Sequence, residues 1–388
     1  MRIVHAISDL DPDRGGPPVV CAALASAEAR LGHDVTIVCE SRDEKGSNDE
    51  IVRTLAAPNG AGPSVAVSFV PKQTLFGALY GHLDEHAPAL AAPVELIHAH
   101  GVWNSIVLAA ARVARRRRVP YVVSTHGALH PVCMRDGKAK KRTALAVGWR
   151  RMLRDATRIL CLNQPEATEA NRIARAEVSA IVPNGIDVAA IPEPDVAGFR
   201  ARVPALRDRP YFVFLGRLDR LKGLDLLFEA FARYRQSGGN ADLVVVGPDW
   251  GAGKPLAALV GRANLGSHVH VVGPLYDATK FGALAGAVAF VHRPRYEAFG
   301  LAVLEAMAVG TPAIVSDACL LPLRGAEDGL VKTAADAEAF AQALARLATN
   351  PAEREALGAR AREVVRTQFD WEPIARETLR VAGVGGAR

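Results

Sequence analysis

The sequence predicts an α/β protein built from two doubly wound parallel-sheet domains that face a cleft. Three observations predict it. The chain has 388 residues, and at roughly 100–200 residues per domain that leaves room for two, each with its own core. Short β-branched runs alternate with longer Ala- and Leu-rich stretches, the pattern of buried parallel strands in βαβ units. The alternation falls into two series, parted by the turn signal Pro183-Asn184-Gly185-Ile186-Asp187 and a proline-bearing stretch from Ile191 to Pro210.

In the first series strands are expected over 2–8, 34–40, 94–99, 120–125, 158–162 and 180–183. In the second they are expected over 211–215, 242–247, 268–272, 288–291, 312–316 and 330–332. The expected domains are 1–190, joined by a terminal crossover helix at about 372–388, and 208–371. In open α/β sheets ligands sit beyond the carboxyl ends of the strands, so the informative residues should follow strands.

Four segments do. Asp13-Arg14-Gly15-Gly16-Pro17-Pro18 follows the first strand and opens a helix. Gly15 and Gly16 let backbone N–H groups approach a ligand closely, and a helix N-terminus favours phosphate; a plain tight turn is the competing account. Ser124-Thr125-His126-Gly127 closes a strand, which places His126 to donate to a substrate hydroxyl or share a proton. The His98-Ala99-His100 pair resembles a metal site but lacks a third nearby ligand, so it is read as structural. In Gly216-Arg217-Leu218-Asp219-Arg220-Leu221-Lys222-Gly223 two cations, Arg217 and Lys222, are placed to neutralise a diphosphate without metal. Finally, Glu297 precedes a helix containing Glu305 among apolar residues. A buried carboxylate there needs a partner, for which sugar hydroxyls are suited, and the helix start at Phe299, Gly300 and Leu301 would face phosphate.

Together these segments resemble the GT-B glycosyltransferases, specifically the retaining family called GT4 (glycosyl transferases group 1). The carriers are Glu297 and Glu305 in an E-x7-E pattern, Ala306 to Pro312, Gly216 to Gly223, the paired glycines and His126. The terminal segment Phe369-Asp370-Trp371-Glu372-Pro373-Ile374-Ala375 is similar to the family's crossover helix. The resemblance implies two Rossmann-like domains and a metal-independent transfer from a UDP- or GDP-sugar, with retained configuration. It implies that Gly15, Gly16, Arg217, Lys222, Phe299, Gly300, Leu301 and Glu305 hold the donor, and that His126 and Glu297 meet the sugar. Two departures touch the sugar pocket: Arg293-Pro294 stands where Pro-Ser is usual, and Ala318-Cys319-Leu320-Leu321-Pro322 replaces a Gly-rich segment.

The net charge of +6 is unevenly placed. Arg112 to Arg154 carries thirteen basic residues and one acid, which leaves the rest of the chain net acidic. Within it, the cationic face of 138–154, with Leu145, Trp149, Met152 and Leu153 opposite, suits an anionic membrane surface or, equally, packing on its own domain. A glycan or lipid-linked acceptor would fit beside it. Nucleic acid is not expected, because no aromatics interleave the basic residues. Five scattered cysteines, no signal-peptide pattern and no apolar run of about 18 residues suggest a cytoplasmic protein, peripheral at the inner face of the membrane. The competing functions are a nucleotide-sugar epimerase of similar fold and a non-catalytic nucleotide-sugar or membrane-binding protein.

Overall fold

A computed structural model describes residues 1–11, 15–41, 65–262 and 265–384. The chain divides into two compact units, Met1–Gly185 with Trp371–Arg388, and Ile186–Asp370. Among the described residues no helix is long and apolar enough to cross a membrane.

Among the described residues the first unit is a seven-stranded parallel sheet in the order β3-β2-β1-β4-β5-β6-β7. Its strands are β1 (Arg2–Ile7), β2 (Asp34–Glu40), β3 (Ala66–Val70), β4 (Leu96–His100), β5 (Tyr121–Ser124), β6 (Arg158–Cys161) and β7 (Ser179–Ile181). β4 is buried along its whole length because helices cover both faces, which is why its sequence is a run rather than an alternation. β3 was not expected from the sequence. It lies at the sheet edge with one neighbour, so its residues are mostly half-exposed and carry no strong apolar signal. The winding direction reverses between β1 and β4.

The second unit is a six-stranded parallel sheet in the order β10-β9-β8-β11-β12-β13. The strands are β8 (Tyr211–Leu215), β9 (Asp242–Val246), β10 (Val269–Gly273), β11 (Ala289–His292), β12 (Ala313–Ser316) and β13 (Leu330–Thr333). Its reversal lies between β8 and β11. This unit takes in the proline-bearing stretch as well. The helix Val196–Arg202 buries Phe199 completely, and Asp195 carbonyl oxygen lies 2.1 Å from where a Cβ on Gly282 would be, so the two segments pack backbone to backbone.

The helix Trp371–Val381 belongs to the first unit. Trp371 is buried flat against Gly185, where a Cβ would stand 2.6 Å from the indole Cδ2. The last four residues of the expected crossover helix lie outside the described residues.

The basic segment is two short helices, Lys138–Ala144 and Arg150–Arg154, joined by a π turn over Leu145–Trp149. Its apolar stripe faces inward: Leu145, Trp149, Met152 and Leu153 are buried, and the indole N–H of Trp149 donates to the Val102 carbonyl at 2.6 Å. Of the two expectations for this stripe, packing on its own domain is the one observed. Lys138, Lys140, Arg142, Arg151 and Arg154 remain exposed.

Candidate functional site

In the second sheet the informative loops lie beyond the carboxyl ends of the strands flanking the reversal, where doubly wound folds bind ligands, and in the first they follow β1, at its reversal, and β5, one strand beyond β4. In the second unit these are the loops after β8 and β11, which are paired neighbours. In the loop after β8, the Asp219 carboxylate accepts the Leu221 and Lys222 N–H groups at 2.8 and 3.2 Å, closing a turn that aims Lys222. Gly223 has φ +64 and touches the other loop, since a Cβ there would lie 2.4 Å from the Arg293 carbonyl oxygen. The Arg295 N–H donates to the Leu221 carbonyl at 2.9 Å, and its guanidinium grips Asp225 twice at 2.6 Å.

These ties bring Lys222 Nζ to 2.5 Å from Glu297 Oε2, with His292 Nε2 at 3.0 Å from the same oxygen. Burial pushes the Glu297 carboxyl up. The Lys222 charge and the His292 hydrogen bond outweigh it and hold Glu297 well below the usual carboxylate range. Burial also pushes His292 down, so a neutral imidazole donates from Nε2. The segment that departs from the family pattern supports Glu297 from behind. The Glu297 N–H donates to the Ala318 carbonyl at 3.0 Å, and the Leu320 N–H donates back to Glu297 at 2.9 Å. The other departure, Arg293, is buried with its guanidinium on the Leu226 and Ala335 carbonyls at 2.6 and 3.0 Å.

The Arg217 guanidinium lies 4.6 Å above the Trp250 ring and 3.5 Å from Asp219. Gly300, at φ +91, heads the helix Leu301–Ala308, which has no side-chain cap and no acid in its first turn. Its backbone N–H end therefore suits an anion. Phe299 can serve only through its backbone, because its ring is buried against Phe369. Glu305 departs from expectation. It is not an orphan carboxylate in an apolar wall but an ion pair with Lys280 at 3.1 Å, about a quarter exposed.

In the first unit Gly15 (φ +110) caps the helix Gly16–Arg30. Pro17 and Pro18 lack N–H groups, so the donors at this end are those of Gly15 and Gly16 rather than a full first turn. Asp13 and Arg14 lie outside the described residues. His126 takes φ +51 and Gly127 φ +84. A strained non-glycine residue at a strand end is a common mark of a functional position. Buried Glu166 secures the bend, accepting the Leu129 and Leu162 N–H groups at 3.2 and 3.1 Å.

His126 Nε2 lies 3.1 Å from His100 Nδ1. The expectation that His98 and His100 lack a third partner fails here, because pairing of β1 with β4 sets His5 opposite His98. Nitrogens of His5, His98 and His100 come within 4.8 Å of one another. The rings are stacked, with planes 20–28° apart and centroids 4.3–5.2 Å apart. His5 Nδ1 meets His100 Nε2 at the hydrogen-bond distance of 2.9 Å, so one of these nitrogens donates to the other. Burial pushes His98 and His100 well down and His126 to about 4.

Nothing in the sequence marks His5, Glu28, His292, Lys280 or Trp250 as site residues. His5 and His292 are visible as polar residues inside apolar strands, but their partners are set only by strand order. Elsewhere in the first unit the basic segment borders a cavity of about 300 Å³ lined by Met134, Arg135, Lys138, Lys141, Arg142 and Arg150 among others.

Two family models match the chain: glycosyl transferase 4-like domain over residues 15–185, and glycosyl transferases group 1 over 198–364. A D-inositol 3-phosphate glycosyltransferase of Kineococcus radiotolerans is 29% identical, covering 95% of this chain and 90% of that one. A phosphatidyl-myo-inositol mannosyltransferase of Mycobacterium leprae is 34% identical over 52% of each. Among solved structures, sucrose-phosphate synthase from Thermosynechococcus elongatus superposes with a TM-score of 0.73 at 24% identity, covering 98% of both chains. Anabaena HepE, solved with UDP and glucose, superposes with a TM-score of 0.75 at 19% identity, covering 99% of both.

Proposed function

The chain belongs to the GT4 family of GT-B glycosyltransferases, and from that premise we propose a retaining, metal-independent transfer from a nucleotide-diphosphate sugar to a phosphate-bearing glycan or lipid-linked acceptor. The observation that carries this proposal is the Lys222–Glu297–His292 cluster at the β8/β11 reversal. In the proposed roles, Arg217, Lys222 and the N–H end at Gly300 and Leu301 hold the diphosphate. Glu305, released from or shared with Lys280, takes the ribose. Glu297 accepts hydrogen bonds from the sugar hydroxyls. Gly15, Gly16 and His126 of the first unit approach the sugar, and the first unit carries the acceptor side.

The charge state of Glu297 favours transfer over epimerisation. An epimerase needs a group that gives and takes protons near neutral pH, whereas Lys222 and His292 keep Glu297 ionised and accepting. Arg217 and Lys222 supply the charge that a metal would otherwise supply to the leaving diphosphate. The first donor to test is a UDP-sugar, because the similar HepE was solved with UDP-glucose. The inositol-phosphate and phosphatidylinositol relatives make an anionic polyol or lipid the first acceptors to test. The exposed cations at 138–154 would steer such an acceptor or rest on an anionic inner membrane face by charge alone.

A thermal-shift screen against UDP, GDP, ADP and their sugar conjugates, with and without chelator, tests the donor half. At a hundred times its dissociation constant a ligand stabilises by about 2.7 kcal/mol. A chelator-insensitive shift with one nucleotide family is the expected result. No shift with any nucleotide would overturn the donor assignment.

A further inference from the structure

We infer that Glu28, His5 and His100 form a buried hydrogen-bonded chain that fixes the tautomer of His126, so that His126 offers an N–H at Nδ1 to the site. The consequence for transfer rests on the proposed contact between His126 and the donor sugar; the chain itself does not.

The links are Glu28 Oε2 to His5 Nε2 at 2.7 Å, His5 Nδ1 to His100 Nε2 at 2.9 Å, and His100 Nδ1 to His126 Nε2 at 3.1 Å. They join the helix Gly16–Arg30 to β1, β4 and the loop after β5. Each link needs one hydrogen, and a neutral imidazole carries one N–H. A run of neutral rings can therefore point either way, and its inner end decides which. Glu28 and His5 are both fully buried, and Glu28 Oε1 meets no donor. A bare carboxylate beside a neutral imidazole would bury a net charge held by one hydrogen bond, which is costly. Holding one proton between the two groups removes that cost.

Both ways of holding it give the same direction. With the proton on Glu28 Oε2, His5 Nε2 accepts and the His5 proton sits on Nδ1. With the proton on His5, both nitrogens carry hydrogen. Either way His5 Nδ1–H donates to His100 Nε2. His100 is kept neutral by burial, so its hydrogen is on Nδ1 and is donated to His126 Nε2. His126, neutral for the same reason, is left with its hydrogen on Nδ1. That nitrogen then donates to an oxygen of the sugar or leaving phosphate, where the opposite tautomer would present a lone pair and repel it. His98 stacks at 4.3 Å on His100 and bonds sideways to Ser124 Oγ at 2.7 Å, which makes it a wall of the chain and not a link. Glu28, His5 and His100 are thus positioning residues for His126.

Long-range proton–nitrogen correlation spectra of the full chain labelled with 15N-histidine test this directly. Wild type is expected to show His126 protonated at Nδ1. Glu28→Gln keeps a donor facing His5 and should preserve that state. Glu28→Met removes it and should turn His126 into a mixture, with turnover of UDP-glucose, water serving as acceptor, falling about fivefold at unchanged KM. An Nε2-protonated His126 in wild type overturns the inference, and so does Glu28→Met with unaltered tautomers or added zinc binding at His5, His98 and His100. The wild-type spectrum decides even if Glu28→Met fails to fold. His126→Ala with unchanged turnover would instead overturn the sugar contact and leave the tautomer result standing.

Discussion

Lys222 and Glu297 meet at 2.5 Å across 75 residues of sequence. The contact exists because β8 and β11 are neighbours at the point where the second sheet reverses its winding. It joins the residue assigned to the diphosphate to the residue assigned to the sugar, so in the proposed roles one ion pair would sense both ends of the donor.

Glu297→Gln removes the charge and keeps the shape. Transfer should fall by about 100-fold or more, as when a group acting mainly in the transition state is lost. UDP affinity should stay within about twofold. Calorimetry with UDP and initial rates with a UDP-sugar separate the two effects, and a fully active variant would sink the role given to Glu297.

Lys222→Met should weaken UDP binding about tenfold, the worth of one charge-assisted contact. It also leaves Glu297 without its cation, so the carboxyl should move back up toward the ordinary range. Unchanged nucleotide affinity in a titration would remove Lys222 from the diphosphate site.

Trp250 holds Arg217 from the side through a cation–π contact at 4.6 Å. At an exposed site such a contact contributes roughly 0.5–1 kcal/mol. Trp250→Ala should therefore weaken UDP about two- to fivefold, and Trp250→Phe should restore most of it. Equal affinities in all three proteins would show that Arg217 needs no such support.

His98, His100 and His292 are buried and pushed below the ordinary histidine value. An unfolded chain takes up protons below about pH 6.5 that the folded chain refuses. Stability should therefore be full above that pH and decline as pH falls from 6.5 toward 5, by up to about 1.4 kcal/mol per pH unit for each such group. Melting temperatures across pH 8 to 5 test this, and a flat profile would contradict it.

Gly185→Ala would drive a methyl into the Trp371 indole, whose Cδ2 would be 2.6 Å away. Overpacking of this kind costs about 1–3 kcal/mol. The variant should melt lower and lose the helix Trp371–Val381 first, seen as faster proteolytic release of the terminal segment. Wild-type melting and cleavage would mean that the indole can move aside.

How much was legible in the sequence follows from where the physics is local. Alternating β-branched and helical runs are local, so twelve of the thirteen strands among the described residues could be expected from them. The edge strand Ala66–Val70 could not, having no buried run to betray it. Glycine-flanked loops after strands are also local, and they mark Gly216–Gly223, Glu297 and His126 as candidates. What the tertiary structure alone decided was partnership. Strand order put Lys222 on Glu297 and set His5 beside His98 and His100, and the packing of two helices gave Glu305 to Lys280. It also turned Trp149 inward, a choice that the helical spacing left open. The sequence alone determined which residues could carry chemistry, because side-chain type and backbone freedom belong to each residue. Only the fold decided which of them share an electric field, because distance and burial belong to pairs.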